Sequence, residues 1–118
     1  GQSGSLTTQI IELGNTQLQG VEVNIGADGA TNVDTFKTAN YNGAVYDYIL
    51  LDTTVGARTG QFMVIQDNGS IEFTDTSTPS LHSDATEPSI SAQINGDDVE
   101  VQVTSGDGYT FKAFVKKL

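Results

Sequence analysis

Few side chains in this sequence carry chemistry beyond packing: one histidine, one arginine, four lysines and fifteen acidic residues. His82 stands in "SLHSD", beside Ser83 and Asp84. Nucleophilic catalysis needs a base held against a nucleophile by the fold, and neighbours along a polar loop do not supply that geometry. His82 therefore reads as a solvated loop histidine. Paired carboxylates could cleave sugars by acid–base chemistry, and the candidates are Asp97 with Asp98, or Asp47 with Asp52. The first pair lies in "NGDD", whose composition turn formation alone explains. Asp47 stands between two tyrosines on an expected strand, facing solvent or a basic partner. Calcium needs six to eight oxygens around one point. Asp97, Asp98 and Asp107 form a cluster on paper, but the strand "VEVQV" between them spans about 17 Å at about 3.4 Å per residue. These acids belong at opposite ends of the domain, and no D-x-D-x-D-G loop is present. The expectation is no catalytic site, no bound metal and no cofactor.

The basic residues point to contacts instead. Arg58 lies in "GARTG", which reads as a tight turn between strands. It is either an exposed turn residue or half of an ion pair, with Asp52, Asp75 or a neighbouring subunit as partner. Lys112, Lys116 and Lys117 fall within the last seven positions. They are expected to point outward from a final strand, guarding an edge against unwanted pairing or meeting an acidic neighbour.

The elements that carry these residues are strands. Apolar and polar residues alternate in "VEVNI" (21–25), "IEF" (71–73), "ISAQI" (90–94), "VEVQV" (99–103) and "YTFKAFV" (109–115), the period of a half-buried strand. "AVYDYILL" (44–51) and "FMVI" (62–65) are denser and read as strands buried on both faces. "GADGATN", "GARTG", "DNGS", "NGDD" and "SGDG" read as turns. "LTTQIIEL" (6–13) reads as an edge strand or a short helix, with its Thr and Ile content favouring strand. Residues 74–89 form a long polar crossover with an extended piece near Leu81. No segment holds a 3.6-residue apolar period, so little or no helix is expected. Tyr46, Tyr48 and Tyr109 sit in alternating blocks and belong to the core rather than to a sugar-binding platform. The expectation is an all-β antiparallel sandwich, immunoglobulin-like or jelly-roll-like, or a partly opened barrel, of about seven to nine strands.

At 118 residues the chain suits one domain. Residues 1–20 are expected to form a flexible arm or added strand, opening on the small polar "GQSGS", and 21–118 a single sandwich. A formal charge of −10 argues against nucleic acid, whose affinity comes from neutralised phosphates, and against anionic lipid surfaces. The absence of cysteine excludes disulfides. No apolar run approaches the roughly 20 residues that span a bilayer as a helix.

Three stretches in order, "TNVDTFKTANYNGAVYDYIL", "RTGQFMVIQDNGSIEFTD" and "ISAQINGDDVEVQVTSGDGYTFKAFVKKL", resemble a β-sandwich module of tailed-phage virion proteins, especially those of marine and cyanobacterial phages. The resemblance covers about three-quarters of the chain. It implies a non-enzymatic structural protein of the virion surface, in a capsid decoration or a tail fibre or baseplate component. Its partners would be other virion proteins and copies of itself, in a homo-oligomer, with a host-surface glycan as a further partner. A carbohydrate-binding adhesin module and a donor-strand filament subunit are the alternatives. On this reading the interface residues are Leu6, Ile10, Ile11 and Leu13 of the arm, together with Arg58, Lys116 and Lys117.

Overall fold

The computed structural model of the chain describes residues 10–26, 28–52, 56–79, 81 and 88–118. They form nine antiparallel strands in two sheets: β1 (Ile10–Leu13), β2 (Thr16–Ile25), β3 (Gly29–Lys37), β4 (Gly43–Asp52), β5 (Gly56–Asp67), β6 (Ser70–Ser77), β7 (Ser89–Asn95), β8 (Asp98–Ser105) and β9 (Tyr109–Lys117). One sheet has six strands in the order β1-β2-β9-β4-β5-β6, the other three in the order β3-β8-β7. No described residue is helical. The arrangement is that of a β-sandwich, and it bears out the all-β expectation.

The core lies between the sheets. Alternation along β4 turns Ala44, Tyr46, Tyr48 and Leu50 inward, while β9 adds Tyr109, Phe111, Ala113 and Val115. The three-strand sheet answers with Val33 and Phe36 from β3, Ile90 and Ala92 from β7, and Val99, Val101 and Val103 from β8. Tight turns close the hairpins where expected: Asn68 and Gly69 join β5 to β6 with φ of 51° and 87°, and Gly96 joins β7 to β8 with φ of 63°. Asn and Gly tolerate this left-handed region, which is why "DNG" and "NGD" mark those corners.

Three expectations are corrected. "GARTG" is not a turn. It opens β5, which pairs with the whole length of β4, from Asp52↔Gly56 to Gly43↔Ile65. Gly60 is there for close approach, because a Cβ at that position would run into the Thr76 carbonyl and lie 2.8 Å from Ser77 Cα on β6. Next, β4 and β5 are buried on one face only: Ile49, Leu51, Met63 and Ile65 alternate outward and are exposed. Last, "GADGATN" is a turn only at its start: Gly29–Asn32 open β3, and Val33–Lys37, which the sequence pattern assigns to no element, complete it. A bulge between Asn32 and Asp34 shifts the register, so the buried positions fall at Val33 and Phe36, three apart. An extra residue in one strand breaks the period of two that strand recognition depends on.

Candidate functional site

Two clusters of buried polar groups lie on the inner side of the six-strand sheet, each built on a tyrosine of β4. The Tyr46 hydroxyl donates to Asp34 Oδ2 at 2.7 Å. Lys117 Nζ sits 3.2 Å from the same oxygen and also donates to Gln19 Oε1 at 3.3 Å. The Lys117 and Asp34 side chains are only 5% and 9% exposed, and the ammonium lies 5.8 Å from the Phe36 ring centre. Asp34 belongs to β3, whereas Tyr46 and Lys117 belong to β4 and β9, so this cluster ties one sheet to the other. The bulge in β3 has a consequence here, since it precedes the residue whose carboxylate enters the intersheet space.

The second cluster repeats the chemistry within the large sheet. The Tyr48 hydroxyl donates to Asp75 Oδ1 at 2.7 Å. Arg58 Nη2 reaches Asp75 Oδ2 at 3.2 Å, and its Nε donates to the Tyr48 hydroxyl at 3.3 Å. One carboxylate on β6 thus fixes side chains from β4 and β5. Of the sequence alternatives for Arg58, the ion pair with Asp75 is the one observed, and the exposed turn residue is not, because residue 58 points inward from a paired strand.

Burial, reinforced by the charge of Asp34 and the hydrogen bond to it, pushes the Tyr46 hydroxyl far above its ordinary value of 10. Burial, with the bond to Asp75 adding and Arg58 opposing, raises Tyr48 as well. A native tyrosine that keeps its proton while the unfolded one loses it makes the folded state bind more protons, so stability is intact below about pH 10 and falls above it. We expect the urea midpoint to hold up to pH 10 and then drop. Tyr46 alone contributes a slope of about 1.4 kcal/mol per pH unit. A midpoint flat to pH 12 would contradict this placement of the two hydroxyls.

The terminal lysines do not guard an edge. β9 lies between β2 and β4 in the middle of the six-strand sheet. Lys112 and Lys116 point outward as expected, but Lys117 points inward, since alternation along a strand sends neighbours to opposite faces. Lys117 and Arg58 are held by bonds within the chain.

Among the other candidates, Asp98 pairs with Lys37 at 2.8 Å. It opens β8, whereas Asp107 follows the far end of that strand, as its length implied. Asp47 faces outward and accepts from Gln61 Nε2 at 3.0 Å. Among the described residues no three His, Cys, Asp or Glu side chains are grouped to hold a metal. His82, Ser83 and Asp84 lie outside the described residues, as does Leu6. Leu81 forms a bridge with Ala57, the extended piece expected there. Tyr46, Tyr48 and Tyr109 are buried, and Tyr41 packs edge-on against Phe36.

Sequence reasoning named Ile10, Ile11 and Leu13 as contact residues but missed the wider exposed apolar face of the large sheet, at Ile49, Leu51, Met63, Ile65 and Phe114. Among the described residues β1 is an edge strand paired only with β2, and Ile10, Ile11 and Leu13 are 51%, 55% and 61% exposed. Ile11 lies opposite Leu18 and continues the outward row that holds Lys116, Val45 and Met63. The signal was in the sequence, in the apolar residues at outward positions Val45, Ile49 and Leu51 of β4 and Met63 and Ile65 of β5, but it matched that of strands covered on both sides.

The described residues thus form an all-β two-sheet protein with exposed apolar strands. No protein-family model matches it, and no curated protein matches it. Among solved structures it is similar to the crystal structure of Acinetobacter baumannii phage AM24 tailspike protein, at 10% identity and a TM-score of 0.48. That match covers 87% of this chain and 26% of the tailspike chain.

Proposed function

We propose that this chain is a non-enzymatic structural protein of a bacteriophage particle, placed at the virion surface and acting through contacts with copies of itself and with other virion proteins. The observation that carries the reading is β1. A four-residue strand at the sheet edge among the described residues, with three large apolar side chains each more than half exposed, is an edge of the kind that pairs with or packs on another chain. Burying two or three such side chains is worth roughly 1.5–3 kcal/mol each, which matters when a contact repeats across a particle. The ordered resemblance of three stretches to tailed-phage virion modules supports the same reading, as a decoration of the capsid or a component of a tail fibre or baseplate.

The test is the triple variant Ile10→Ser, Ile11→Ser, Leu13→Ser, introduced into the phage that carries the chain. We expect the isolated domain to melt within a few degrees of the parent, because these side chains lie outside the core, and its incorporation into particles to fall at least tenfold. Incorporation at the parental level would refute the contact role of β1. Absence of the parental chain from purified particles would refute the virion reading itself.

A further inference from the structure

The outward faces of the two sheets differ in kind. The three-strand sheet presents polar side chains that bond to one another: Gln102 to Asn32, and both Gln93 and Asn95 to Glu100. The six-strand sheet presents Ile49, Leu51, Met63, Ile65 and Phe114, between 37% and 61% exposed. Strand register sets these in rows. Leu18, Lys116, Val45 and Met63 form one, Gly20, Phe114, Asp47 and Gln61 the next, and Glu22, Lys112, Ile49 and Thr59 the third. Gly20 leaves a shallow depression of about 610 Å³ beside Phe114, lined in part by Glu22, Asp47, Ile49 and Lys112.

We propose that this face packs against the same face of a second copy of the chain, related by a two-fold axis. The proposal rests on the reading of the chain as one that acts through contacts with its own copies, and it names the surface. Charge selects the partner. The chain carries −10, yet the middle of this face, across β2, β9 and β4, carries two lysines, Lys112 and Lys116, and two acids, Glu22 and Asp47, while Asp67 and Glu72 lie at its β5–β6 margin. Lys112 and Lys116 make no ion pair among the described residues. A patch with both signs in balance, apolar between them, is complementary to itself: under a two-fold axis the lysines of one copy meet the carboxylates of the other. Area agrees. Six strands of 4 to 12 residues, about 4.8 Å apart and rising about 3.4 Å per residue, offer roughly 800 Å² per partner, the size of a standard stable interface. Sheets stack about 10 Å apart with interdigitated side chains, and the depression at Gly20 receives a large side chain such as the partner's Phe114.

The test uses the full chain in sedimentation velocity at about 0.15 M salt, where long-range repulsion between acidic chains is screened. The parent is expected to sediment as a dimer, twice the chain mass of 12.5 kDa. The variant Lys112→Glu/Lys116→Glu makes the patch acidic, and Glu22→Lys/Asp47→Lys makes it basic. Each alone is expected to sediment as a monomer with an unchanged circular dichroism spectrum, and an equimolar mixture of the two to recover the dimer. A monomeric parent at millimolar concentration overturns the proposal, as does a trimer or larger ring. Dimers in either variant alone, or a mixture that stays monomeric, also overturn it. A dimer that is absent from particles would leave this interface standing and defeat the virion reading. A monomer incorporated into particles would do the reverse.

Discussion

Replacing Asp34 by alanine is expected to destabilise the domain by about 3–5 kcal/mol, the usual cost of removing one partner from a buried ion pair. Two groups lose the same carboxylate at once, and Lys117 keeps only the neutral Gln19 Oε1 as acceptor. The Lys117 ammonium is left in a site where its side chain is 5% exposed, and the Tyr46 hydroxyl, fully buried, loses its 2.7 Å bond. At about 3–5 °C per kcal/mol for a domain of this size, the melting temperature should fall by roughly 10–20 °C. The expected cause is the stranded charge rather than the lost contact, and a second variant separates the two. Asp34→Ala combined with Lys117→Met removes both charges and should regain a substantial part of the loss. Equilibrium unfolding in urea measures both. A loss below about 1 kcal/mol for the single variant would mean that Lys117 reaches water and that the intersheet tie is not holding a charge.

A second large effect is expected on β9, where Phe111 and Phe114 lie three residues apart on opposite faces. Phe111 is fully buried, with its ring stacked on Tyr48 at a centroid distance of 5.9 Å. Phe111→Ala should cost about 3–5 kcal/mol, the transfer of a ring plus the cavity left between two sheets that cannot collapse onto each other. Phe114 is 52% exposed. Phe114→Ala should change the stability of dilute protein by no more than about 0.5 kcal/mol while weakening association at higher concentration. Similar losses at the two positions would mean that the outer face of the sheet is already covered by the chain's own packing.

Several features of this protein were legible in its sequence. The alternation in "VEVNI", "ISAQI", "VEVQV" and "YTFKAFV" reports strands, because side chains on a pleated backbone alternate between faces whatever lies beyond it. The Asn-Gly and Gly-Asp corners were legible for a similarly local reason, since few residues accept a positive φ. The separation of Asp98 from Asp107 followed from strand length alone. The inward placement of Tyr46, Tyr48 and Tyr109 followed from alternation plus size.

Other features were decided only by tertiary structure. Alternation assigns residues to two faces but does not say whether both are covered. Ile49, Leu51, Met63 and Ile65 suggested doubly buried strands, and they are exposed because three strands stand opposite six and no third layer among the described residues covers the outside of the large sheet. The position of β9 was hidden in the same way. A last strand in sequence has no reason to be last in space, and β9 sits between β2 and β4, which turns Lys117 from an edge residue into a buried ion. Arg58 and Asp75 are 17 residues apart, and Asp34 and Lys117 are 83. Each pair forms only once strand order and register bring its backbones together. The bulge in β3 shows the limit most directly. It erased the local pattern of "TNVDTFK", and the carboxylate that follows it is the one that ties the two sheets together. Local physics determined which segments are strands, while strand order, register and the unequal size of the sheets decided which charges are buried and which apolar face is left exposed.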